Sequence, residues 1–337
     1  MTRNEPLAGT RSLSTPPDIP PPVRVAITGA TGFIGRRLTL DLHRRGHRVR
    51  ALVRDPRRAD ELLVPGVELV AGDLASPAAL ARLVAGCDAV IHCAGAVRGR
   101  NYSDFAPANV AGVEQMLAAL RTQPPARLLV LSSLAAREPG LSPYAASKRA
   151  GERILLTQGE GVRWTILRPP AVYGPGDREL LPLFRLMARG LAAVPGQMSD
   201  RVSLLYIADL IAAITAWLQL KDPPSSVFPL SDPTDGGYSW TEIIAIASAT
   251  FGRRVRPLPL PAMALDVAAR VNWLGAAALG YAPMLTPAKL RELRHPDWVC
   301  DWRELGTALH WQPQVPLAEG LRLTLTTATS PPGATRS

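Results

Sequence analysis

VRVAITGATGFIG, residues 23–35, is the stretch of this chain that decides its fold. Its first six residues are rich in β-branched side chains and predict a strand, which stops at a glycine-rich turn and gives way to a helical pattern through Leu38 and Leu42. Glycines at positions 29, 32 and 35 let the backbone turn tightly and approach a pyrophosphate, whose charge would be held by amides at the helix N-terminus. The spacing differs from the commoner Gly-x-Gly-x-x-Gly, and a plain tight turn is the alternative interpretation.

The alternation of strand and helix patterns continues along the chain. Alternating elements of this length are typical of an α/β fold with a doubly wound parallel sheet, the Rossmann type. Asp73 and the turn at Ala94 and Gly95 follow predicted strands, at the edge where such sheets bind ligands. Strands are predicted near 48–53, 67–70, 88–92, 127–131 and 164–167, with helices over 77–85 and 102–120.

The residue that ends the second strand bears on the choice between two nicotinamide cofactors. An acidic side chain there would bind the ribose 2′-hydroxyl of NAD, whereas arginine accommodates the 2′-phosphate of NADP. Arg54 comes first, with Arg57 and Arg58 behind it, so the sequence favours NADP. Asp55 leaves NAD open.

SPYAASK, residues 142–148, predicts a helix that begins at Ser142 or Pro143 and places Tyr144 and Lys148 four residues apart on one face. A nearby cation favours the phenolate, so we expect the pKa of Tyr144 to fall toward neutrality. Ser133 ends a predicted strand, where its hydroxyl could polarise a substrate oxygen or could simply bond the local backbone. The chain has six tyrosines but only three lysines, so a chance match of this spacing is uncommon.

Composition excludes several classes of protein. Hydrophobic residues make up 47% of the 337 and charged residues 20%, as in globular proteins. The net charge of +10 comes from dispersed arginines without a long basic run, so we expect no nucleic-acid partner. Segment 271–288 is uncharged and largely apolar. Peripheral contact with an anionic membrane surface therefore explains the positive charge better than a nucleic-acid partner does. Three cysteines form neither a disulfide framework nor a metal site, so a reducing cytoplasm is the expected location.

The chain divides into four regions by composition. Residues 1–22 predict a disordered leader and 326–337 a disordered tail. Residues 23–175 predict the nucleotide-binding domain, to which a further strand and helix around 203–220 return. Residues 176–325 predict a smaller region that mainly binds the substrate, and five of the seven tryptophans lie at 240 or later, which fits a large apolar pocket or simply a second core.

Taken together, these motifs resemble the extended short-chain dehydrogenase/reductase family, including its dihydroflavonol-reductase-like and 3β-hydroxysteroid-dehydrogenase-like members. The resemblance covers residues 23–325 and is most specific over the first 210. The segments that carry it are TGATGFIG (28–35), GDL (72–74), NVAG (109–112), LSS (131–133), Tyr144 with Lys148, RPP (168–170) and YGPGD (173–177).

The resemblance implies a Rossmann domain that binds NAD(P), a smaller C-terminal substrate region and a Ser-Tyr-Lys catalytic group. Tyr144 would be the general acid/base, Lys148 would lower its pKa and bind the nicotinamide ribose, and Ser133 would orient the substrate oxygen. Asn109 matches a structural asparagine of the family. The implied cofactor-binding residues are Gly29, Thr31, Gly32, Phe33, Ile34, Gly35, Arg54, Asp73, Leu74, Ala94, Gly95, Tyr144, Lys148 and Pro170.

The resulting expectation is an oxidoreductase that moves hydride between NADP, or NAD, and a secondary alcohol or ketone of a hydrophobic small molecule. Sugar-nucleotide dehydratases of the family carry acidic residues after the catalytic hydroxyl, where this chain has LAA (134–136), so dehydration is not expected. An NAD-dependent nucleotide-sugar epimerase stays an alternative. A noncatalytic assembly subunit, similar to the complex I accessory subunit of this fold, is another, and family members often form homodimers through helices of the first domain.

Overall fold

The computed structural model describes residues 22–122, 126–259 and 261–329. Most of the leader and of the tail lies outside these residues, although the last helix continues to Thr329, four residues into the stretch expected to be disordered. That helix is anchored by Leu317 and Leu321, which are fully buried in the core.

Strand and helix bounds agree closely with the periodicity of the sequence over the first half of the chain. The strands are β1 Arg24–Thr28, β2 Arg48–Val53, β3 Val67–Ala71, β4 Ala89–His92, β5 Arg127–Leu131, β6 Trp164–Arg168, β7 Ala171–Tyr173, β8 Leu191–Val194, β9 Arg201–Val202, β10 Leu204–Tyr206, β11 Val227–Pro229, β12 Tyr238–Ser239, β13 Arg256–Pro259 and β14 Asp297–Trp298. The helices are α1 Phe33–Arg44, α2 Pro77–Val84, α3 Tyr102–Ala106, α4 Gly112–Arg121, α5 Pro143–Gln158, α6 Leu181–Ala188, α7 Ile207–Gln219, α8 Trp240–Phe251, α9 Ala262–Leu279, α10 Pro287–Leu293, α11 Arg303–Leu309 and α12 Leu317–Thr329.

The main sheet has seven parallel strands in the order β11-β6-β5-β4-β1-β2-β3. The order reverses between β1 and β4, where Thr28 pairs in register with His92. In open α/β sheets of this kind, ligands bind outside the carboxyl ends of the strands at the point of reversal. The expected α/β, doubly wound Rossmann architecture is therefore confirmed.

Two apolar cores sandwich the sheet. Val25 and Ile27 of β1 point to one core together with Leu38 of α1, whereas Ala26 points to the other, which α2 and α4 cover. Alternation along a strand sends successive side chains to opposite faces, and here both faces are covered, which explains why β1 is apolar on both.

The predicted helix over 102–120 is present but interrupted. Residues Pro107–Ala111 form a single π-type turn between α3 and α4. Pro107 has no amide N–H to donate, which interrupts the regular helical hydrogen bonding. Turns of the π type are rare, occur mostly as single turns inside helices and are frequent at functional sites. The turn carries Asn109, which is buried.

Part of the chain after β7 still packs against the nucleotide-binding domain. α7 packs on α1, and its Trp217 donates through Nε1 to Thr165 of β6 at 2.8 Å. β10 pairs with β7 in a separate two-stranded sheet, and the strand that joins the edge of the main sheet is β11. Asp209 does not cap α7, because its carboxylate accepts from the amides of Gln314 and Val315.

No helix among the described residues combines the length and the apolar character needed to cross a membrane.

Candidate active site

The turn between β1 and α1 forms a concave backbone surface, and its close contacts leave room only for glycine. Gly29 has a positive φ of 68°, and its carbonyl accepts from the amide of Gly32 at 3.0 Å. A Cβ on Gly35 would lie 2.1 Å from the Gly29 oxygen, so the turn packs directly on the first turn of the helix. α1 has no side-chain cap and no acidic residue in its first turn. An amide-rich, uncapped helix start of this kind fits a pyrophosphate.

The adjacent turn after β4 closes this concave surface from the other side. A Cβ on Gly29 would lie 2.6 Å from the Ala94 amide nitrogen, so the two turns are in contact. His92 is buried, and its Nδ1 lies 2.9 Å from the Thr28 hydroxyl. Burial lowers the pKa of His92 to about 3, so its imidazole is neutral at physiological pH. His92 therefore supports the turn and carries no charge in the site.

Asn109 connects the same turn to the helix that bears Tyr144. Its side-chain oxygen accepts from the Ala96 amide at 2.9 Å, and its nitrogen donates to the Ala96 carbonyl and to Ser147 Oγ. A Cβ on Gly95 would lie 2.9 Å from both Asn109 Oδ1 and Lys148 Nζ. Gly95, Asn109 and Lys148 therefore meet at one point, although 53 residues separate the first from the last.

α5 begins as the sequence predicts. Ser142 is its N-cap and accepts from the Ala145 amide at 3.0 Å, and Pro143 occupies the first helical position. Lys148 is buried, and its Nζ donates to the carbonyl of Leu131 at 3.0 Å. The Ser133 side chain lies close enough to the Tyr144 phenol to favour its ionised form, which lowers the pKa of Tyr144 in part. The structure thus brings Ser133, Tyr144 and Lys148 together at the carboxyl end of β5.

The expected lowering of the Tyr144 pKa is wrong for the protein without cofactor. Burial and, to a smaller extent, the negative charge of Glu292 raise the pKa of Tyr144, and the Ser133 side chain lowers it. The result is a pKa of about 12. Burial also lowers the pKa of Lys148 to about 8. At neutral pH the site therefore holds a protonated phenol and a mostly charged lysine.

Sequence reasoning missed a second cation beside Tyr144. Lys289 of α10 places its Nζ 5.7 Å from the centroid of the Tyr144 ring and pairs with Glu292 at 2.7 Å. Glu292 is buried and accepts from the Ser142 hydroxyl. From the other side, Phe105 packs edge-on against the Tyr144 ring, with centroids 5.9 Å apart. The scarcity of lysine was the one sequence signal that could have pointed to Lys289, because Lys148 and Lys289 are two of the three lysines in the chain.

A buried ion pair joins α5 to the sheet behind the site. Arg168, at the end of β6, binds the carboxylate of Glu152 through two hydrogen bonds, and Ser132 Oγ donates to the same carboxylate at 2.6 Å. A small pocket beside Lys148 is lined by Ser132 and Glu152 together with His92 and Asn109.

The remaining predicted cofactor residues lie along the same edge of the sheet. Arg54 is exposed directly after β2, and the structure shows no partner for its guanidinium among the described residues. Asp73 follows β3 and accepts from the Ala75 amide, whereas Leu74 packs against Gly112 of α4. Pro170 lies between β6 and β7. Thr31 is exposed in the glycine turn, and Phe33 and Ile34 are half-buried in the first turn of α1.

Comparison with known proteins identifies the class. Residues 25–228 match the model of the NAD dependent epimerase/dehydratase family, and the chain belongs to that family. It is 39% identical over 274 residues to the ceramide reductase of Caulobacter vibrioides, a match that covers 81% of this chain and 85% of the relative. It is 36% identical over 207 residues to the 2-alkyl-3-oxoalkanoate reductase of Stenotrophomonas maltophilia, a match that covers 55% of this chain and 62% of that relative.

Solved structures show the same fold at lower identity. The UDP-glucuronic acid 4-epimerase of Bacillus cereus, in complex with UDP-glucuronic acid and NAD, is 20% identical with a TM-score of 0.69. The UDP-glucose 4-epimerase of Thermotoga maritima is 19% identical with a TM-score of 0.70. Each match covers 90% of this chain and 98% of the other.

Family and relatives together define an enzyme, an NAD(P)-dependent oxidoreductase of the short-chain dehydrogenase/reductase type that acts on a small molecule. The expectation of an enzyme, rather than a noncatalytic subunit of the same fold, is confirmed.

Proposed function

We propose that this protein reduces a ketone on a hydrophobic small molecule to a secondary alcohol, with NADPH as the preferred reductant. The observation that carries the proposal is the placement of Ser133, Tyr144 and the buried Lys148 beside the glycine turn, at the carboxyl edge of the sheet. A phenol that is protonated at neutral pH can serve as the general acid that carbonyl reduction requires.

NAD(P)H, when bound, would supply the hydride for the reduction. Tyr144 donates its proton to the carbonyl oxygen, and the Ser133 hydroxyl orients that oxygen. The cation of Lys148 stabilises the phenolate that proton transfer leaves behind. Proton and hydride together convert the C=O bond to CH–OH.

The predicted cofactor residues are arranged in a way that supports NAD(P) binding. The amides around Gly29, Gly32 and Gly35 would hold the pyrophosphate, and Lys148 would bind the nicotinamide ribose. Thr31, Phe33, Ile34, Asp73, Leu74, Ala94, Gly95 and Pro170 would line the remainder of the groove. The exposed guanidinium of Arg54 would bind the 2′-phosphate, which is the basis for preferring NADP over NAD.

A hydrophobic substrate is supported by the relatives. Their names specify a ceramide, a 2-alkyl-3-oxoalkanoate and, for a ketoreductase of Stigmatella aurantiaca 31% identical over 178 residues, a farnesyl-bearing dihydroquinoline oxide. Each of these molecules has a long apolar part. The nucleotide-sugar epimerase alternative is supported by the family model and by a sugar epimerase of Bacillus subtilis that is 30% identical over 154 residues, 44% of this chain. The solved epimerase structures, at 19–20% identity, show the fold alone.

The experiment that separates the two functions is a pair of assays on the purified protein. Oxidation of NADPH should be detected with a long-chain 3-ketone, and no interconversion should be detected with UDP-glucose or UDP-glucuronic acid. Epimerisation of a UDP-sugar, together with NAD that stays bound through dialysis, would replace the reductase proposal with the epimerase.

Three further expectations belong to this proposal. The cysteines Cys87, Cys93 and Cys300 are free thiols, which supports a cytoplasmic location. A homodimer through the helices of the nucleotide-binding domain is proposed from the resemblance to the family alone. Sedimentation velocity of the full chain tests the dimer. Peripheral contact with a membrane surface fits both the substrate class and the net positive charge.

A further inference from the structure

α9 exposes an apolar face that no described residue covers. Met263, Val267, Val271 and Leu274 are all exposed, Met263 to 79% and Val271 to 63%. At 100° per residue the four side chains fall within an arc of about 80° on the helix. Leu279, at the C-terminal end, is 78% exposed. Single exposed apolar residues are ordinary, but a row of them along one helix marks an interaction surface.

The opposite face of α9 is fully engaged. Ala269 and Ala276 are buried, Asn272 donates to the Leu285 carbonyl at 2.7 Å, and Tyr281 donates to Asn272. The helix is therefore anchored on the protein through small and polar residues, while its larger aliphatic side chains point outward. This is the reverse of the usual arrangement of a surface helix.

The charge of this surface selects the partner. α9 contains two charged residues, Asp266 and Arg270. Asp266 is paired with Arg294 at 2.8 Å. Arg270 lies on the exposed face and has no acidic partner among the described residues, so it contributes a positive charge to that face. A second copy that packed through this same face would bring one Arg270 toward another, whereas an anionic surface would be attracted by the charge.

α9 is connected to the candidate active site through α3 and α10. Arg100 stacks 5.0 Å from the Trp273 ring of α9, and it precedes α3, whose Phe105 contacts Tyr144. α9 also packs on α10, whose Lys289 lies over the Tyr144 ring. The helix that carries the apolar face therefore packs on the same elements that surround Tyr144.

We propose that the apolar face of α9, formed by Met263, Val267, Val271 and Leu274 with Arg270, docks on the surface of a bilayer that contains anionic lipid, so that the apolar substrate reaches Tyr144 from the membrane. An interfacial helix with an apolar face and a basic charge binds membranes in this way, without crossing them. The passage of substrate rests on the proposed function, whereas the docking does not.

Cosedimentation of the full chain with vesicles tests the docking. Vesicles of phosphatidylglycerol and phosphatidylcholine in equal parts should bind the protein, and vesicles of phosphatidylcholine alone should bind it at least ten-fold more weakly. Val271→Glu should weaken binding to the anionic vesicles by at least ten-fold, and so should Leu274→Glu. Leu63→Glu is the matched control, because Leu63 is 61% exposed, on a different part of the surface. That variant should bind like the wild type.

Equal binding by Val271→Glu and the wild type would overturn the proposal, and so would failure of the wild type to bind anionic vesicles. A wild type that sediments as a dimer without vesicles and becomes a monomer in Val271→Glu would assign the face to self-association instead. Turnover of a short, water-soluble ketone separates this inference from the proposed function, and Val271→Glu should keep wild-type turnover of it. Vesicle binding without turnover of either this ketone or a long-chain 3-ketone would leave the docking intact and refute the reductase.

Discussion

Arg168 and Glu152 form a buried, two-bonded ion pair behind the candidate active site, with Nε to Oε1 at 2.7 Å and Nη2 to Oε2 at 2.5 Å. Glu152 lies two helical turns beyond Tyr144 on α5, and its side chain is almost completely buried. Arg168 ends β6. The pair therefore fixes the helix that carries Tyr144 and Lys148 against the carboxyl edge of the sheet.

Removal of one partner should destabilise the fold strongly. Arg168→Met removes both short hydrogen bonds from the guanidinium to the buried Glu152 carboxylate, which keeps only Arg149, at 3.4 Å, as a cation. We therefore expect the free energy of unfolding to fall by about 1–3 kcal/mol in urea denaturation. The control is Asp222→Ala, which removes the exposed pair with Arg163 and should cost at most about 1 kcal/mol. Similar losses from the two variants would mean that the buried pair does not anchor α5.

Tyr144→Phe should abolish ketone reduction while NADPH still binds. The change removes one hydroxyl and the proton that the mechanism requires, and general acid catalysis typically contributes a factor of about 10²–10⁴. Turnover is measured by NADPH oxidation and binding by quenching of protein fluorescence. A variant that retains full turnover would remove Tyr144 from the proposed mechanism.

The pH dependence of kcat/KM for ketone reduction should follow the ionisation of Lys148. Burial lowers the pKa of Lys148 to about 8, so its charge is lost as the pH rises through that value. Since the cation stabilises the phenolate, kcat/KM for ketone reduction should decline above a pH of about 8. This parameter reflects ionisations of the free enzyme. The falling limb should disappear in Lys148→Met, whose lower activity should be independent of pH in that range.

The free energy of unfolding should also depend on the ionisation of Lys148. The unfolded lysine keeps its proton up to its ordinary pKa of 10.5, whereas the folded one loses it near 8. Between these values the unfolded state binds more protons, so the Lys148 contribution to stability rises with pH. Below pH 8, Lys148→Met should be more stable than the wild type, and this advantage should shrink from pH 8 to 10. An advantage that stays constant over that range would contradict the assigned pKa.

Arg54 should determine the cofactor preference. Arg54→Ala removes the guanidinium proposed for the 2′-phosphate, and we expect the KM for NADPH to rise at least ten-fold with the KM for NADH nearly unchanged. Arg57→Ala is the control, because Arg57 is exposed nearby but its Nε pairs with Asp55 at 3.1 Å. Equal effects of the two variants, or an equal rise for NADH, would assign Arg54 to general surface charge.

Gly95→Ala should disturb Lys148 through a single methyl group. The added carbon would lie 2.9 Å from Lys148 Nζ and from Asn109 Oδ1, closer than van der Waals contact allows. We expect kcat to fall at least ten-fold with little loss of stability. Gly140→Ala is the matched control, since nothing lies within 4 Å of its added carbon, and it should behave as the wild type. Normal turnover in Gly95→Ala would show that Lys148 can move without loss.

Local patterns made much of the fold predictable. The strand and turn at 23–35 and the helix start at Ser142 depend on residues adjacent in sequence, and the structure agrees with both. The interruption of the helix at Pro107 was not anticipated, because a π-type turn depends on how α3 and α4 pack rather than on apolar spacing. The edge strand β11 was missed because three residues carry no measurable period.

The sequence by itself determined that a glycine turn precedes a helix and that Tyr144 and Lys148 share one face of another, because both follow from spacing along a single element. Tertiary structure alone decided which groups surround that pair. Glu292 and Lys289 come from α10, about 150 residues away, and the protein interior raises the pKa of Tyr144 where helical spacing suggested a fall. Desolvation depends on what the whole fold packs around a side chain, and no local pattern encodes it.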